Sequence, residues 1–486
     1  MFHRLRAAVR AALGLFPAAL ARIGVVDREI GREIFDLAVP VMVTGGLRSL
    51  IRVTDYFMVS LALGSAAIAA LEFGYQFHML AMGFGLALSS GTISVVSRFF
   101  GAERNDRANL AIKQSLWLTL VLTLPLTAVA WIWATPLVDL LTDDPRAIDL
   151  GTTYLRLLML STPFHFFTLI GSRALAGVGN TRTPMIIRTT SLPANTLINA
   201  ALIFGLGPFP RLGIAGAAIG TTLANVLQAA LFAAALLSGR YDVRLPIGGR
   251  QVDADILREI VRVSLPLSGT RVARSLARFP FLFVLGALGT NVVAAYAIGR
   301  RIMALGMIPS WGYGTAASTL VGQAIGRDDE AGARRYGWQS VRIALATQLS
   351  VAAAVILAAR PLALVFDPGN VPLTVEFIYA FGVAISGFSV GRTLQGALRG
   401  AGDTRFPFYG TMAGNYLVRL PIAAVAFPAG VAVTLAGTSF APGLGLGVSA
   451  IYLAIWGDTY TRAVVNAVRF RSGHWMAVAR NSAVGT

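Results

Sequence analysis

The chain has 486 residues, of which 55% are hydrophobic and 13% charged, with a formal net charge of +18 and no cysteine. A soluble domain carries about 25% charged residues, so this composition, with a mean hydropathy of +0.67, excludes a soluble globular protein and points to an integral membrane one; the missing cysteines exclude disulfides and thiolate metal sites. The positive charge is almost entirely arginine, with one lysine, Lys113, and in an apolar chain that bias reads as loop topology against anionic headgroups rather than nucleic-acid binding.

Residues 1–32 carry basic flanks around a short apolar run. The Ala19-Leu20-Ala21 end loosely mimics a signal-peptide cleavage site. The expected form is a basic amphipathic segment lying in the membrane interface, arginines toward headgroups. From Glu33 to Phe470, polar breaks divide the chain into twelve apolar stretches, each long enough for the roughly 20 residues a span requires. They lie near 34–60, 66–97, 110–138, 149–177, 183–206 and 213–238, then 258–286, 292–324, 335–364, 372–398, 406–432 and 443–470. The predicted organisation is a first lobe over 33–239, a polar cytoplasmic linker over 240–257 with Gly248-Gly249, a second lobe over 258–470 and a tail over 471–486.

Arginine placement orients these spans. Even-numbered connections are basic, as at Arg98, Arg104 and Arg107, at Arg173 and Arg182, and at Arg399 and Arg405, whereas Asp139, Asp143, Asp144 and Asp149 crowd an odd one. The positive-inside rule then predicts both termini in the cytoplasm of a multi-pass cell-membrane protein.

The two lobes repeat one another. Ala174–Pro184 (ALAGVGNTRTP) returns as Ala397–Pro407 (ALRGAGDTRFP), and Leu63–Gly74 (LGSAAIAALEFG) as Leu288–Gly299 (LGTNVVAAYAIG). Ala38–Arg52 returns as Ser264–Arg278, with Pro40 over Pro266 and Arg48 over Arg274. The offsets of 223, 225 and 226 are nearly one value. The predicted fold is therefore an all-α integral membrane protein, twelve transmembrane helices in two six-helix lobes related by pseudo-twofold symmetry. In such transporters the site is expected between the repeats.

Together with NTLINAALIFGLG in the fifth span and LGIAGAAIGTT at the start of the sixth, these blocks resemble, in order and spacing, the MATE family of multidrug and toxic compound extrusion transporters over about 33–470. The resemblance implies a secondary antiporter that exports organic compounds in exchange for H+ or Na+, with no prosthetic group, small organic molecules and the lipid bilayer as partners, and no nucleic acid. It is expected to work as a monomer.

Asp55 is the sharpest candidate for ion coupling. A carboxylate at membrane depth costs about 2.5–3.5 kcal/mol, and one poised between desolvation and neighbouring cations can take up and release a proton. The resemblance gives the acid at this place in the first helix that role. Asn195 and Asn199 are four apart and share a helix face. The resembling motif is an Asn followed four residues later by Asp or Asn, and this chain has the neutral version. Their carbonyls suit Na+ or a protonated acid, so a metal site is expected at most as Na+ at Asp55, Asn195 and Asn199; interhelical hydrogen bonds are the other use. Pro40 in the first span and Pro193 in the fifth are candidate bending points.

Glu72 in the second span is the other acid of the first half, and His78 beside it reads as a hydrogen-bonded packing residue. His3, His78, His165 and His474 are too scattered in sequence to suggest a metal cluster. Arg48, Arg52 and Asp55 form one stripe of the first helix, and Arg271, Arg274 and Arg278 one of the seventh, where Phe281 takes the place of Asp55. Arg300, Arg301, Arg392 and Arg419 add to them. Facing lipid, the five arginines of the two stripes would cost roughly 12–18 kcal/mol. Their membrane acids are few, namely Asp55, Glu72 and Glu376, so pairing does not neutralise them all. They line a wet cavity that favours anionic or zwitterionic substrates, or they snorkel from span ends. The competing reading is a flippase for an anionic lipid-linked precursor. No GxxxxGK[ST] motif and no nucleophile–base–acid set emerges, so neither an ATPase nor an enzyme is expected.

Overall fold

The structure is a computed structural model that describes residues 16–63, 65–140, 144–367, 369–430, 433–435, 438–440 and 443–481. Within the helices, the side chains of residues 50, 52, 53, 55–57, 60, 63, 65–69 and 72 lie outside that description. Among the described residues, the regular secondary structure is helical except for a two-stranded antiparallel hairpin.

The helices are α1 Arg28–Leu63, α2 Ser65–Gly101, α3 Asn105–Ile132, α4 Ala134–Asp139, α5 Pro145–Met159, α6 Thr162–Gly177, α7 Arg182–Phe204 and α8 Ile214–Leu237. After the linker come α9 Ala254–Ala287, α10 Thr290–Gly306, α11 Ile308–Gly326, α12 Glu330–Leu357, α13 Ala359–Phe366 and α14 Val371–Gly400. Then α15 Arg405–Met412 runs through a π-helical stretch Ala413–Arg419 into α16 Leu420–Ala424. The hairpin follows as β1 Val433–Leu435 and β2 Thr438–Phe440, and α17 Gly447–Ser472 and α18 His474–Arg480 end the order.

These elements fill twelve spans. The fourth is α5 with α6, the eighth α10 with α11, and the eleventh α15, the π stretch and α16. The breaks fall where proline enters the first turn of the next segment, at Pro163 in α6 and Pro309 in α11, positions where its missing N–H leaves no bond unmade. The eighth span bends there by 42°. Among the described residues, five helices are long and apolar enough to cross a membrane, and the bent pair makes a sixth. Charge disqualifies α9 by this test, since Arg258, Arg262, Arg271, Arg274 and Arg278 all lie on it.

Two compact units emerge. The N unit is Pro40–Leu265; the C unit runs through Val39 and resumes at Pro266. The boundaries thus fall inside α1 and α9, at the repeat-matched Pro40 and Pro266, and not at the 240–257 linker. Packing explains this. The first turns of α1 belong with the C unit, where the Tyr336 hydroxyl donates to Glu33 Oε2 at 2.9 Å and Asp27 pairs with Arg335. The first turns of α9 belong with the N unit, where Glu259 pairs with Arg98 at 2.8 Å, both side chains buried.

In the N unit, α2 packs on α3, α5 and α6, and α7 on α8, around a core that includes Phe99, Ile112, Ile170 and Phe232. In the C unit, α14 is central and packs on α11, α12 and α17, with Phe281, Tyr296, Phe377 and Ile451 in one cluster and Val321, Leu398, Phe470 and Trp475 in another.

Candidate functional site

Asp55 and Arg52 lie on α1, and Glu72 on α2; their side chains lie outside the described residues. Asn195 and Asn199 are buried on α7. Asn199 meets α8 at Gly220, where an added Cβ would stand 2.1 Å from its Oδ1. Only glycine admits the carboxamide so close, which ties the LGIAGAAIG sequence to the position of Asn199. Pro40 sits inside α1, and its carbonyl accepts from Thr44 Oγ1 at 2.7 Å.

Arg48 is exposed in the N unit, within electrostatic reach of Arg173, Arg188 and His165. Arg173, counted above with the connection after the fourth span, lies inside α6 one turn from its end. His78 is 3% exposed. Its ring stands 5.9 Å from that of His165 and 6.1 Å from Tyr75. Neither histidine Nδ1 has a hydrogen-bond partner, so His78 packs without the bond expected at that nitrogen. Two of the four scattered histidines are therefore neighbours, although the described residues contain no group of three or more potential metal ligands.

The C unit holds a denser cluster. Arg274 and Arg278 are exposed on α9, as is Arg300 on α10. Arg274 is within reach of Arg419 and Arg462, and Arg300 of Arg278, Arg301 and Arg419. Arg419 ends the π stretch. Its guanidinium lies 3.7 Å over the Phe281 ring, its Nη2 donates to the Tyr296 hydroxyl at 3.2 Å, and its buried Nε has no acceptor. Arg462 pairs with Asp458 one turn back on α17. Arg271 is half-buried. Arg392 donates to Gln395 Oε1 at 2.9 Å on its own helix.

Arg188, Asp458 and Arg462 escaped the sequence reading, and Asp458 corrects the list of membrane acids. Asp458 and Arg462 stand at i and i+4 in the twelfth span, a spacing that signals an intrahelical ion pair. Arg188 carried only the weaker sign of a charge six residues inside a helix start.

The family model MatE matches residues 40–201 and 266–425, one stretch in each half. The chain belongs to the MatE family. It is therefore a transporter and not an enzyme, a multi-pass membrane protein of twelve helices in two lobes. It is 27% identical over 449 residues to a probable multidrug resistance protein NorM of Bradyrhizobium diazoefficiens, covering 90% of this chain and 92% of that one. It is 25% identical to an FAD transporter of Shewanella oneidensis, over 71% of this chain and 76% of the relative. The crystal structure of a MATE protein in the bent conformation shares the fold with a TM-score of 0.82 and 23% identity, over 94% and 97% of the two chains.

Proposed function

We propose that this MatE protein is a secondary antiporter that exports small organic molecules across the cell membrane in exchange for H+ or Na+, and that its substrates are anionic or zwitterionic. Asp55 carries the coupling ion, with Asn195 and Asn199 as neutral ligands or hydrogen-bond partners. Both termini are cytoplasmic, in keeping with the basic even-numbered connections. It works as a monomer.

The observation that carries the substrate preference is the guanidinium-to-carboxylate ratio in the C unit. Arg274, Arg419 and Arg462 lie within electrostatic reach of one another, and Arg300 links Arg419 to Arg278. Among the described residues, Asp458 is the one carboxylate in an ion pair with any of them. Such a lining repels organic cations and binds carboxylates and phosphates. The Shewanella relative supports this, since FAD carries a diphosphate.

The test is transport in proteoliposomes, with pH and sodium gradients imposed separately and an anionic dye compared with a cationic one. The expected outcome is anionic-dye movement driven by one of the two gradients. Strong preference for the cation would overturn the substrate reading. Transbilayer movement of an anionic lipid with no dye transport would favour the flippase.

A further inference from the structure

We propose that the C unit contains a binding site for a phosphoryl group, built from Arg274, Arg300, Arg419 and Arg462, in which Asp458 serves as a resident counter-ion that the ligand displaces. The inference rests on the anionic preference proposed above and gives it a place and a chemistry.

Three observations carry it. First, charge: the four arginines, with Arg278 beside them, come from α9, α10, the π stretch and α17, so the chain brings them together from distant parts of the sequence. Neighbouring guanidiniums repel one another, and among the described residues one carboxylate pairs with one of the five. A divalent oxyanion relieves more of this imbalance than a carboxylate does, and its oxygens match the forked donors bidentately.

Second, Arg419 is held rather than loose. The Phe281 ring lies under its guanidinium and Tyr296 takes one Nη2 proton, while Nε is buried with no acceptor. A cation–π contact and one hydrogen bond fix the plane and leave donors unused. The π stretch Ala413–Arg419 ends on this residue, and single π turns concentrate at functional positions.

Third, Asp458 is half-used. One oxygen binds Arg462; Oδ1 is buried with no partner, against Gly414, where an added Cβ would stand 2.6 Å away. The carboxylate therefore fills part of the anion's place. A phosphoryl group entering the cluster competes with Asp458 for Arg462, so deleting the aspartate charge strengthens ligand binding.

The experiment is calorimetric titration of the purified full-length protein with inorganic pyrophosphate. It needs no ion gradient, so its failure and the failure of coupled transport are separate results. Arg419→Gln and Arg274→Gln are expected to weaken binding about tenfold or more, the scale of one charge-assisted hydrogen bond. Arg419→Lys should recover only part of this, since it keeps the charge and loses the fork. Asp458→Asn should tighten binding severalfold. Arg480→Gln, in a surface pair with Glu330, serves as the control and should change nothing. Size-exclusion profiles and melting curves identify variants that fail to fold. Absence of saturable pyrophosphate binding, or equal affinity in wild type, Arg419→Lys and Asp458→Asn, would overturn the proposal. A second arm in nanodiscs separates soluble phosphate from lipid: weaker pyrophosphate binding with phosphatidic acid than with phosphatidylcholine alone assigns the site to a headgroup, and unchanged binding assigns it to a soluble phosphate.

Discussion

The two units agree at their turns and disagree in their spans. Gly179 and Gly402, matched in the repeat, have φ of 87° and 84°. Around them Asn180 N–H donates to the Leu175 carbonyl at 2.9 Å, and Asp403 N–H to that of Leu398 at 2.8 Å. Glu103 and Asp328, 225 apart, share a left-handed φ near 58°. Inside the membrane the match fails: Asp55 is answered by Phe281, whose ring is fully buried under a guanidinium. A turn is fixed by backbone geometry that few residues satisfy. A span tolerates any side chain whose charge finds a partner, so duplicated halves drift apart in electrostatics first.

The comparison is sharpest at two of the membrane carboxylates, Asp55 in one unit and Asp458 in the other. If Asp55 alone couples transport to the ion gradient, Asp55→Asn should slow gradient-driven efflux about 1,000-fold, the scale of losing a proton-transfer group. Asp458→Asn should keep the coupling and alter apparent substrate affinity instead. Efflux rates at fixed pH gradient, across a range of substrate concentrations, distinguish the two. Loss of coupling in both variants would break the division of labour.

A second contrast is between Glu33 and Glu259, matched at the offset of 226. Glu259 is buried against Arg98, which is 0% exposed. Glu259→Gln strands that guanidinium and should cost about 3 kcal/mol. Glu33 is exposed and accepts one hydroxyl, from Tyr336. Glu33→Gln should cost less than about 1 kcal/mol. Unfolding midpoints in detergent for the two variants, side by side, check this. Equal losses would mean that the first turns of α1 are as tightly seated as those of α9.

Much of this was legible in the sequence because it depends on period and composition. The twelve apolar stretches, the repeat and the arginine stripes are one-dimensional patterns, and Arg48, Arg274 and Arg278 entered the account through them. What stayed hidden depends on which helices pack together. Asp458 and Arg462 are inconspicuous until α17 is seen beside the π stretch. The ring of Phe281 looked like the mere absence of an acid until Arg419 was found on its face. The crossing of α1 and α9 between units was equally hidden, because nothing in a continuous helix marks the point where its packing partners change.

The finest difference between the units lies in the turns themselves. With φ near +85° at both glycines, Gly179→Ala and Gly402→Ala should each cost about 1–2 kcal/mol, the penalty for an L side chain in left-handed backbone. Asparagine at either position should cost less, since it visits that region more readily. If backbone alone shapes the turns, the two losses should agree within a few tenths of a kcal/mol. The flanking contacts give a reason they would diverge. Asn180 Oδ1 accepts only a backbone N–H, from Thr183 at 3.0 Å, whereas Asp403 is 3% exposed and binds Arg469 Nε at 2.7 Å, itself over the Phe406 ring. A larger loss at Gly402, measured as the difference in unfolding midpoint, would mean that the strained turn also positions this ion pair, and that the second loop has taken on an electrostatic task the first never had.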